Sequence, residues 1–460
     1  MPESQVSTLP LNKRLKNFNE VALGFPKKTA VEEARRCPQY NDPEHLPECP
    51  LGVDILGFIR FLREGNFSAA FKKIREHNDL PAVCGRICQA PCEQAFIRGE
   101  NEAVISVRAL ERFAADHGRE RSFNRRPVER KGKKVAVIGS GAAGLTAAAR
   151  LAGKNYQVCI FEALPLPGGT LRYGVPHFRL PKDVLNAEIE EIRWQGVEFR
   201  TGSPVGETVP IQDLFNEGYQ AVLLAVGRNG GIVPFIPGTH WGGVYSSGEL
   251  LLQANLLKPG HLKSRAPLRI GRKVVVIGSD SEALDCARVC RRMGAEVTLI
   301  FPKTEEEMNV HPRDRIHSQE EGIKVEILTQ PVAILAADGA SVSGIQCTRM
   351  DYADPEGNGQ WRVIPVPDSE FIIDADTVIF ARREAQDGCR MEFSNIYREK
   401  SGAVWLDPST GMTSVKAIFA AGEVAGCDPQ LAAVMASGKK AAEDIHRFLT
   451  SRGNDGPKNG

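Results

Sequence analysis

The 460-residue chain is 42% hydrophobic and 25% charged, the balance of a soluble globular protein with room for two or three domains. Its formal net charge of +1 gives no electrostatic case for nucleic acid, and no apolar run approaches the roughly 20 residues of a membrane-spanning helix. The N-terminus, Met-Pro-Glu-Ser-Gln-Val, has no apolar leader stretch behind it, so a cytoplasmic location without membrane insertion is expected.

Residues 1–118 read as a helical domain. Ile55, Leu56, Ile59 and Leu62 recur at helical spacing, as do Ala70, Phe71 and Ile74. Several of the 11 cysteines fall between Cys37 and Cys92. In a long cytosolic chain such clustering suggests a metal or cluster site rather than disulfides. Residues 119–133 are basic and contain Pro and Gly, the composition of a solvated linker; a docking strip for an acidic partner is the alternative.

After Lys134 the pattern becomes strand, glycine turn, helix, strand, and it does so twice, at 134–162 and 273–300. This duplication predicts an α/β fold with two Rossmann-like dinucleotide-binding domains. In the first unit, the apolar strand Lys134–Ile138 runs into Gly139-Ser140-Gly141-Ala142-Ala143-Gly144. A small-residue helix follows, then the strand Gln157–Phe161, which ends on Glu162. Gly139 permits the tight turn, Gly141 lets backbone approach a pyrophosphate, and Gly144 lets helix and strand pack closely. The helix N-terminus offers free N–H groups to phosphates, and Glu162 can accept hydrogen bonds from ribose hydroxyls. Pro167-Gly168-Gly169-Thr170-Leu171-Arg172-Tyr173-Gly174 and the C-terminal Gly422-Glu423, followed by an alanine-rich helix, favour FAD over NAD at this site.

With these segments the chain resembles the FAD-containing small subunit of glutamate synthase and its relatives, the flavin halves of ferredoxin-NADP transhydrogenases, sulfide dehydrogenases and dihydropyrimidine dehydrogenase. The resemblance rests on Gly168–Lys182, on Cys84-Gly85-Arg86-Ile87-Cys88-Gln89-Ala90-Pro91-Cys92-Glu93 and on Ala225-Val226-Gly227. It implies a glutathione-reductase-type architecture in which the nucleotide domain is inserted in the FAD domain. The expected bounds are an FAD domain at 134–240 and 371–450, an inserted NAD(P)H-type domain at 241–370, and a flexible tail at 451–460. It implies FAD contacts from Gly139, Ser140, Gly141, Ala142, Ala143, Gly144, Glu162, Ala163, Gly169, Thr170, Arg172, Gly227, Gly422, Glu423 and Leu431. The family usually has Asp where Glu423 stands; Glu keeps the charge and the acceptors.

The chain also departs from the family. Where the family carries C-x2-C-x4-C-x3-C-P, this chain reads Cys37, Tyr40, His45, Cys49, Pro50; where it carries C-x3-C-x3-C, this chain reads Cys88, Cys92, Phe96. Thiolates hold iron–sulfur clusters. The replacements predict at most one cluster and favour none. A cluster or zinc site from Cys49, Cys84, Cys88 and Cys92 is the remaining metal candidate, against buried thiols kept for packing. Glu111 is a further candidate beside Cys37.

The second unit reads Gly278-Ser279-Asp280-Ser281-Glu282, with Asp280 in place of the glycine that faces the pyrophosphate. Its second strand leads into Pro302-Lys303-Thr304, without the arginine pair that grips a 2′-phosphate in relatives that prefer NADP. NAD(H) is therefore the expected nucleotide, weakly held. Arg382 and Arg383 stand where relatives usually have glycine, as surface charges or as compensation for Asp280.

The resulting expectation is a flavin subunit that exchanges hydride with NAD(H) and electrons with an iron–sulfur partner subunit. Its complex would hold a separate catalytic subunit, of the aldehyde oxidoreductase or hydrogenase kind. The alternative is a non-catalytic FAD-binding assembly subunit. Cys286 and Cys290 lack the C-x-x-C spacing of a thioredoxin-reductase-type enzyme.

Overall fold

Strands that read as unbroken apolar runs are expected where a parallel sheet is covered on both faces. Val135 to Ile138, Val158 to Phe161 and Val274 to Ile277 are such runs, and all are buried. A computed structural model describes residues 4–37, 48–96, 104–119, 127–206, 208–227, 236–256, 269–337, 339–354, 359–381 and 395–451, with side chains omitted at 94–96. Tyr40, His45, Arg382, Arg383, residues 120–126 of the linker and residues 452–460 of the tail lie outside the described residues, as does the side chain of Phe96.

The first parallel sheet has five strands in the order Ile418–Ala420, Tyr219–Leu224, Lys134–Ile138, Gln157–Phe161, Glu198–Arg200. The second repeats the plan in the order Lys324–Glu326, Glu296–Ile300, Lys273–Ile277, Thr377–Phe380, Val244–Ser246, again all parallel. An antiparallel sheet built on the long strand Val342–Ala353 is attached to the second unit. The return to the first domain comes later than the expected residue 371. Phe371–Asp374 pairs in the antiparallel sheet and Thr377–Phe380 in the second parallel sheet, and the chain rejoins the first sheet at Ile418–Ala420. The apolar run at 377–380 reads alike for either sheet, so pattern alone could not assign it.

Small residues set the helix contacts. The C-terminal helix Leu431–Ser451 crosses the first turn's helix, Ala142–Gly153, at Gly438, where a Cβ would lie 2.3 Å from the Ala143 carbonyl oxygen. The N-terminal domain contains the helices Lys27–Arg36, Ile55–Arg63, Phe67–Arg75, Pro81–Ile87 and Val107–Gly118. Asp54 and Asn66 cap two of them by accepting from the Gly57 and Ala69 amides at 2.8 and 3.1 Å. Pro81–Ile87 presses on Val107–Gly118 at Gly85, where a Cβ would meet the Arg112 Cα at 2.4 Å. Among the described residues no helix is long and apolar enough to cross a membrane.

Candidate functional site: a cleft between two glycine turns

In the first turn each glycine does a different job. Gly139 has φ +99°, and a Cβ there would strike the Ala225 carbonyl oxygen at 2.4 Å. A Cβ on Gly144 would lie 2.1 Å from the Gly139 carbonyl oxygen, so helix and turn can touch only without it. A Cβ on Gly141 would meet nothing within 4 Å, because it points into the cleft. No side chain caps this helix, which leaves its first N–H groups available to an anion.

Glu162 is buried at the end of its strand. It accepts from the Ser140 amide at 3.1 Å, from the Ser140 hydroxyl, and from the Leu164 amide at 2.8 Å. Ser140 Oγ in turn accepts from the Gly168 amide at 2.8 Å, which ties the Gly168-Gly169 segment to the turn. Gly169 backs directly on Gly141, where a Cβ would be 2.9 Å from the Gly141 Cα.

Ala142, Ala143, Thr170, Gly227, Gly422, Glu423 and Leu431 line the same cleft as Gly141, and Asp280, Ser281 and Glu282 close its far side. Gly227, at φ +70°, also opens on free space. These open glycines and the uncapped helix fit a dinucleotide at the first turn. Of the expected FAD contacts, Gly139, Ser140, Gly144, Glu162, Ala163, Gly169 and Arg172 are not among the residues that line the cleft. Arg172 is buried, with Nε on the Pro167 carbonyl and Nη2 on Asn186 Oδ1 at 2.5 Å; it fastens the loop to the next helix and does not line the cleft. Ala163 is exposed in the loop after Glu162.

The second turn keeps the plan but not the vacancy. Gly278 is required, since a Cβ there would meet the Ala381 carbonyl oxygen at 2.5 Å. Asp280 does not project its carboxylate outward. It folds back to cap the helix Ser281–Arg292, accepting from the Ala283 amide at 3.0 Å. Ser279 accepts from the Asn309 amide at 3.1 Å, and Glu282 accepts from the Ser247 hydroxyl.

This cleft collects four buried polar groups, of which the sequence points to Ser281 alone and misses Gln89, Arg179 and Asp285. Gln89, Arg179, Ser281 and Asp285 all line it, and Gln89 Oε1, Arg179 Nε, Ser281 Oγ and Asp285 Oδ1 are buried with no hydrogen-bond partner. Each such atom costs about 1–3 kcal/mol unless something satisfies it. Arg179 holds Asp285 at 2.8 Å and Asp314 at 3.2 Å. Burial pushes the Asp285 carboxyl up to about 6, with Arg179 pulling it back, while Asp314 is held well below the usual carboxylate range by Arg179 and Arg108 against its own burial. Asp285 could have been found by spacing, since it lies one helical turn after Ser281. Gln89 and Arg179 come from distant segments and carry no local signal. The cleft measures about 180 Å³. A larger cavity of about 380 Å³ lies away from both turns. Three of the arginines that line it are held by carboxylates, Arg86 and Arg112 by Glu20 and Asp116 and Arg288 by Glu321.

In the helical domain, Cys49, Cys84, Cys88 and Cys92 line one small cavity with Asn78 and Glu111. Burial raises all four thiols, Cys88 to about 12, and raises Glu111 to about 7 against the hydrogen bond from Asn78. Cys37 faces Glu33 and Arg63 instead. Among the described residues no three His, Cys, Asp or Glu side chains converge as a single metal ion would require. Cys286 and Cys290 are fully buried in the second turn's helix, which removes them from disulfide exchange.

Two nested parallel sheets, each with a glycine turn opening on a shared cleft, define a pyridine-nucleotide-dependent flavoprotein oxidoreductase. Residues 133–439 match the model of the pyridine nucleotide-disulphide oxidoreductase family, and residues 14–123 match that of dihydropyrimidine dehydrogenase domain II, 4Fe–4S cluster. The chain is 30% identical to the glutamate synthase [NADPH] small chain of Halomonas elongata, over 96% of this chain and 95% of that one. It is 34% identical to the NADP(+)-dependent formate dehydrogenase subunit beta of Moorella thermoacetica, over 88% of this chain, and spans only 59% of that relative's length. Among solved structures, FprA of Mycobacterium tuberculosis in complex with NADPH shares the fold at a TM-score of 0.56 and 18% identity, covering 70% of this chain and 85% of that one. The chain belongs to the pyridine nucleotide-disulphide oxidoreductase family, in the branch of the glutamate synthase small chain. The match at 14–123 does not support the expectation that the helical domain has lost its cluster chemistry.

Proposed function

We propose that the chain is the FAD-containing electron-transfer subunit of a multi-subunit oxidoreductase. It would exchange hydride with NAD(H) and electrons with an iron–sulfur partner subunit, which serves a separate catalytic subunit. The observation that carries this reading is the single cleft between the two turns, with four buried polar atoms left without partners. When bound, FAD supplies the interconversion of a hydride and single electrons. The uncapped helix at Gly141 would hold its pyrophosphate and Glu162 its ribose. Across the cleft, Asp285 offers an acceptor and Arg179 a donor, the pair that a carboxamide on a nicotinamide ring needs.

Relatives are named for NADP(H), but the residues here favour NAD(H). Lys303 is paired with Glu307 at 3.2 Å and Arg315 with Glu305 at 3.6 Å, with Glu306 between them, so the strand end where a 2′-phosphate would lie is acidic. Anaerobic stopped-flow reduction of the bound flavin tests the proposal. We expect FAD near one per chain and faster bleaching by NADH than by NADPH. Absence of flavin would overturn the reading, and faster reduction by NADPH would overturn the nucleotide preference. A second reading, an assembly subunit with a vestigial nucleotide site, is favoured by the self-capped second turn. It would gain if neither nucleotide reduced the flavin even in Asp280→Gly.

A further inference from the structure

The family pattern puts a thiolate where this chain has Phe96, yet the cavity that Cys49, Cys88 and Cys92 line holds a sulfur which the pattern does not use. Cys84 lies one turn before Cys88, the residue that caps the helix Pro81–Ile87 with its N–H on the Cys84 carbonyl, so the two side chains leave neighbouring turns about 5–6 Å apart at Cβ. Gly85, between them, lets that helix touch the backbone of Val107–Gly118. The same close approach seats Cys84 and Cys88 on the cavity that Cys49 and Cys92 line.

Backbone amides lie beside two of these sulfurs, as they would beside ligated thiolates. Cys88 Sγ receives the backbone N–H of Ala90 at 3.4 Å, and the backbone of Leu51, Gly52 and Val53 lies close to the Cys49 thiol. A single zinc ion would draw four sulfurs to about 3.8 Å from one another, and no such convergence exists among the described residues. A cluster needs the wider spread. Cys37 does not line that cavity, and its charged neighbours are Glu33 and Arg63.

We infer that Cys84 takes the place of the missing fourth thiolate, so that Cys49, Cys84, Cys88 and Cys92 hold one [4Fe–4S] cluster. Cys84 Sγ lies 3.5 Å from Met435 Sδ, on the C-terminal helix whose residues Leu431 and Val434 line the flavin cleft. Cys84 is therefore the ligand that would stand in contact with the helix bordering the flavin cleft. This role rests on the electron-transfer reading; the ligand assignment does not.

The test uses the full chain with its flavin, reconstituted anaerobically with ferrous iron and sulfide. Iron, acid-labile sulfide and the EPR spectrum after dithionite reduction are measured, with flavin content as the check on folding. We expect about four irons per chain in the wild type and in Cys37→Ser. Cys84→Ala should hold three irons or fewer and lose the reduced-cluster signal at unchanged flavin content, and Cys84→Ser should shift that signal. Full iron and an unchanged spectrum in both Cys84 variants would overturn the inference. So would loss of the cluster in Glu111→Gln with retention in Cys84→Ala, about eight irons in the wild type, or zinc or no metal after reconstitution. Flavin reduction by nucleotide is scored separately, so its failure would sink the proposed function and leave the ligand assignment standing.

Discussion

The two strand–turn–helix units follow one backbone plan and part at their most ligand-exposed residue. In the first, Gly141 opens on the cleft and its helix keeps its N–H groups uncapped. In the second, Asp280 occupies that place and spends its carboxylate on the Ala283 amide. A carboxylate at a helix N-terminus is a resident anion: it supplies from within the chain what a phosphate would supply from outside. One fold thus holds a turn that needs a ligand to complete it and a turn that has completed itself. The difference teaches that a glycine turn can persist as architecture after its ligand-facing residue has changed, because Gly278 is demanded by packing on Ala381 and not by a nucleotide.

The largest effect should come from giving the first turn the second turn's residue. Gly141→Asp adds a side chain where a Cβ meets nothing, so the fold should survive. Its carboxylate would cap the helix and repel the pyrophosphate. We expect flavin retention to fall more than tenfold, read from the ratio of absorbance at the flavin band to that of protein, with circular dichroism unchanged. Wild-type flavin content would break the comparison at its root.

Gly144→Val probes the opposite case, a glycine required by packing. Its Cβ would lie 2.1 Å from the Gly139 carbonyl oxygen. Overpacking of this kind costs about 1–3 kcal/mol, so urea unfolding of the flavin-free protein should shift to lower concentration. An unchanged midpoint in Gly144→Val, or a shifted one in Gly141→Asp, would show that the two roles had been exchanged.

Much of this was legible in the sequence, and the parts that were not share a cause. Strand, turn and helix are local patterns, so both units could be read from their residues, and Gly139, Gly141, Gly144 and Glu162 lie together at the first turn. Side-chain direction is not local. Asp280 reads as a charge aimed at a phosphate and turns back as a cap, and Arg172 reads as a ligand contact and is consumed by Pro167 and Asn186. Gln89 reaches the cleft from the cysteine segment and Arg179 from the loop after Gly174, through contacts that no spacing rule supplies. The cysteine losses counted toward no cluster because the count followed the family register; Cys84 stands outside it and is legible in the sequence only as a candidate beside Cys49, Cys88 and Cys92, with which it lines one cavity.

Asp280→Gly should restore vacancy to the second turn. Removing a resident carboxylate frees the Ala283 amide and lifts a repulsion, while the loss of the cap is softened because glycine is itself tolerated at such positions. We expect NADH and NADPH both to bind roughly tenfold tighter, equal to about 1.4 kcal/mol. The gain should be larger at low salt, where screening is weakest. Titration of the flavin-loaded protein at two ionic strengths measures it. Unchanged affinity would mean that the cap does not compete with the nucleotide.

The smallest effect concerns Asp285, one helical turn further on, where the first unit has the buried Thr146. Burial raises the Asp285 carboxyl to about 6, from an ordinary value near 4. A group raised in this way stabilises the fold below its unfolded pKa, and that contribution is lost as pH rises through its folded pKa. The wild type should therefore lose stability between about pH 4 and pH 6 relative to Asp285→Asn, which carries no proton to lose. Because Asp285 also pairs with Arg179 at 2.8 Å, the variant can start below the wild type at low pH. The slope is the safer quantity: the melting temperature of Asp285→Asn minus that of the wild type should climb by roughly 2 °C or more across this range. Thermal unfolding in matched buffers measures it, with Thr146→Val as the counterpart in the first unit, where no pH dependence is expected. A flat or falling difference would show that Asp285 is ionised throughout, held by Arg179, and that the cleft carries a fixed negative charge on its nucleotide side.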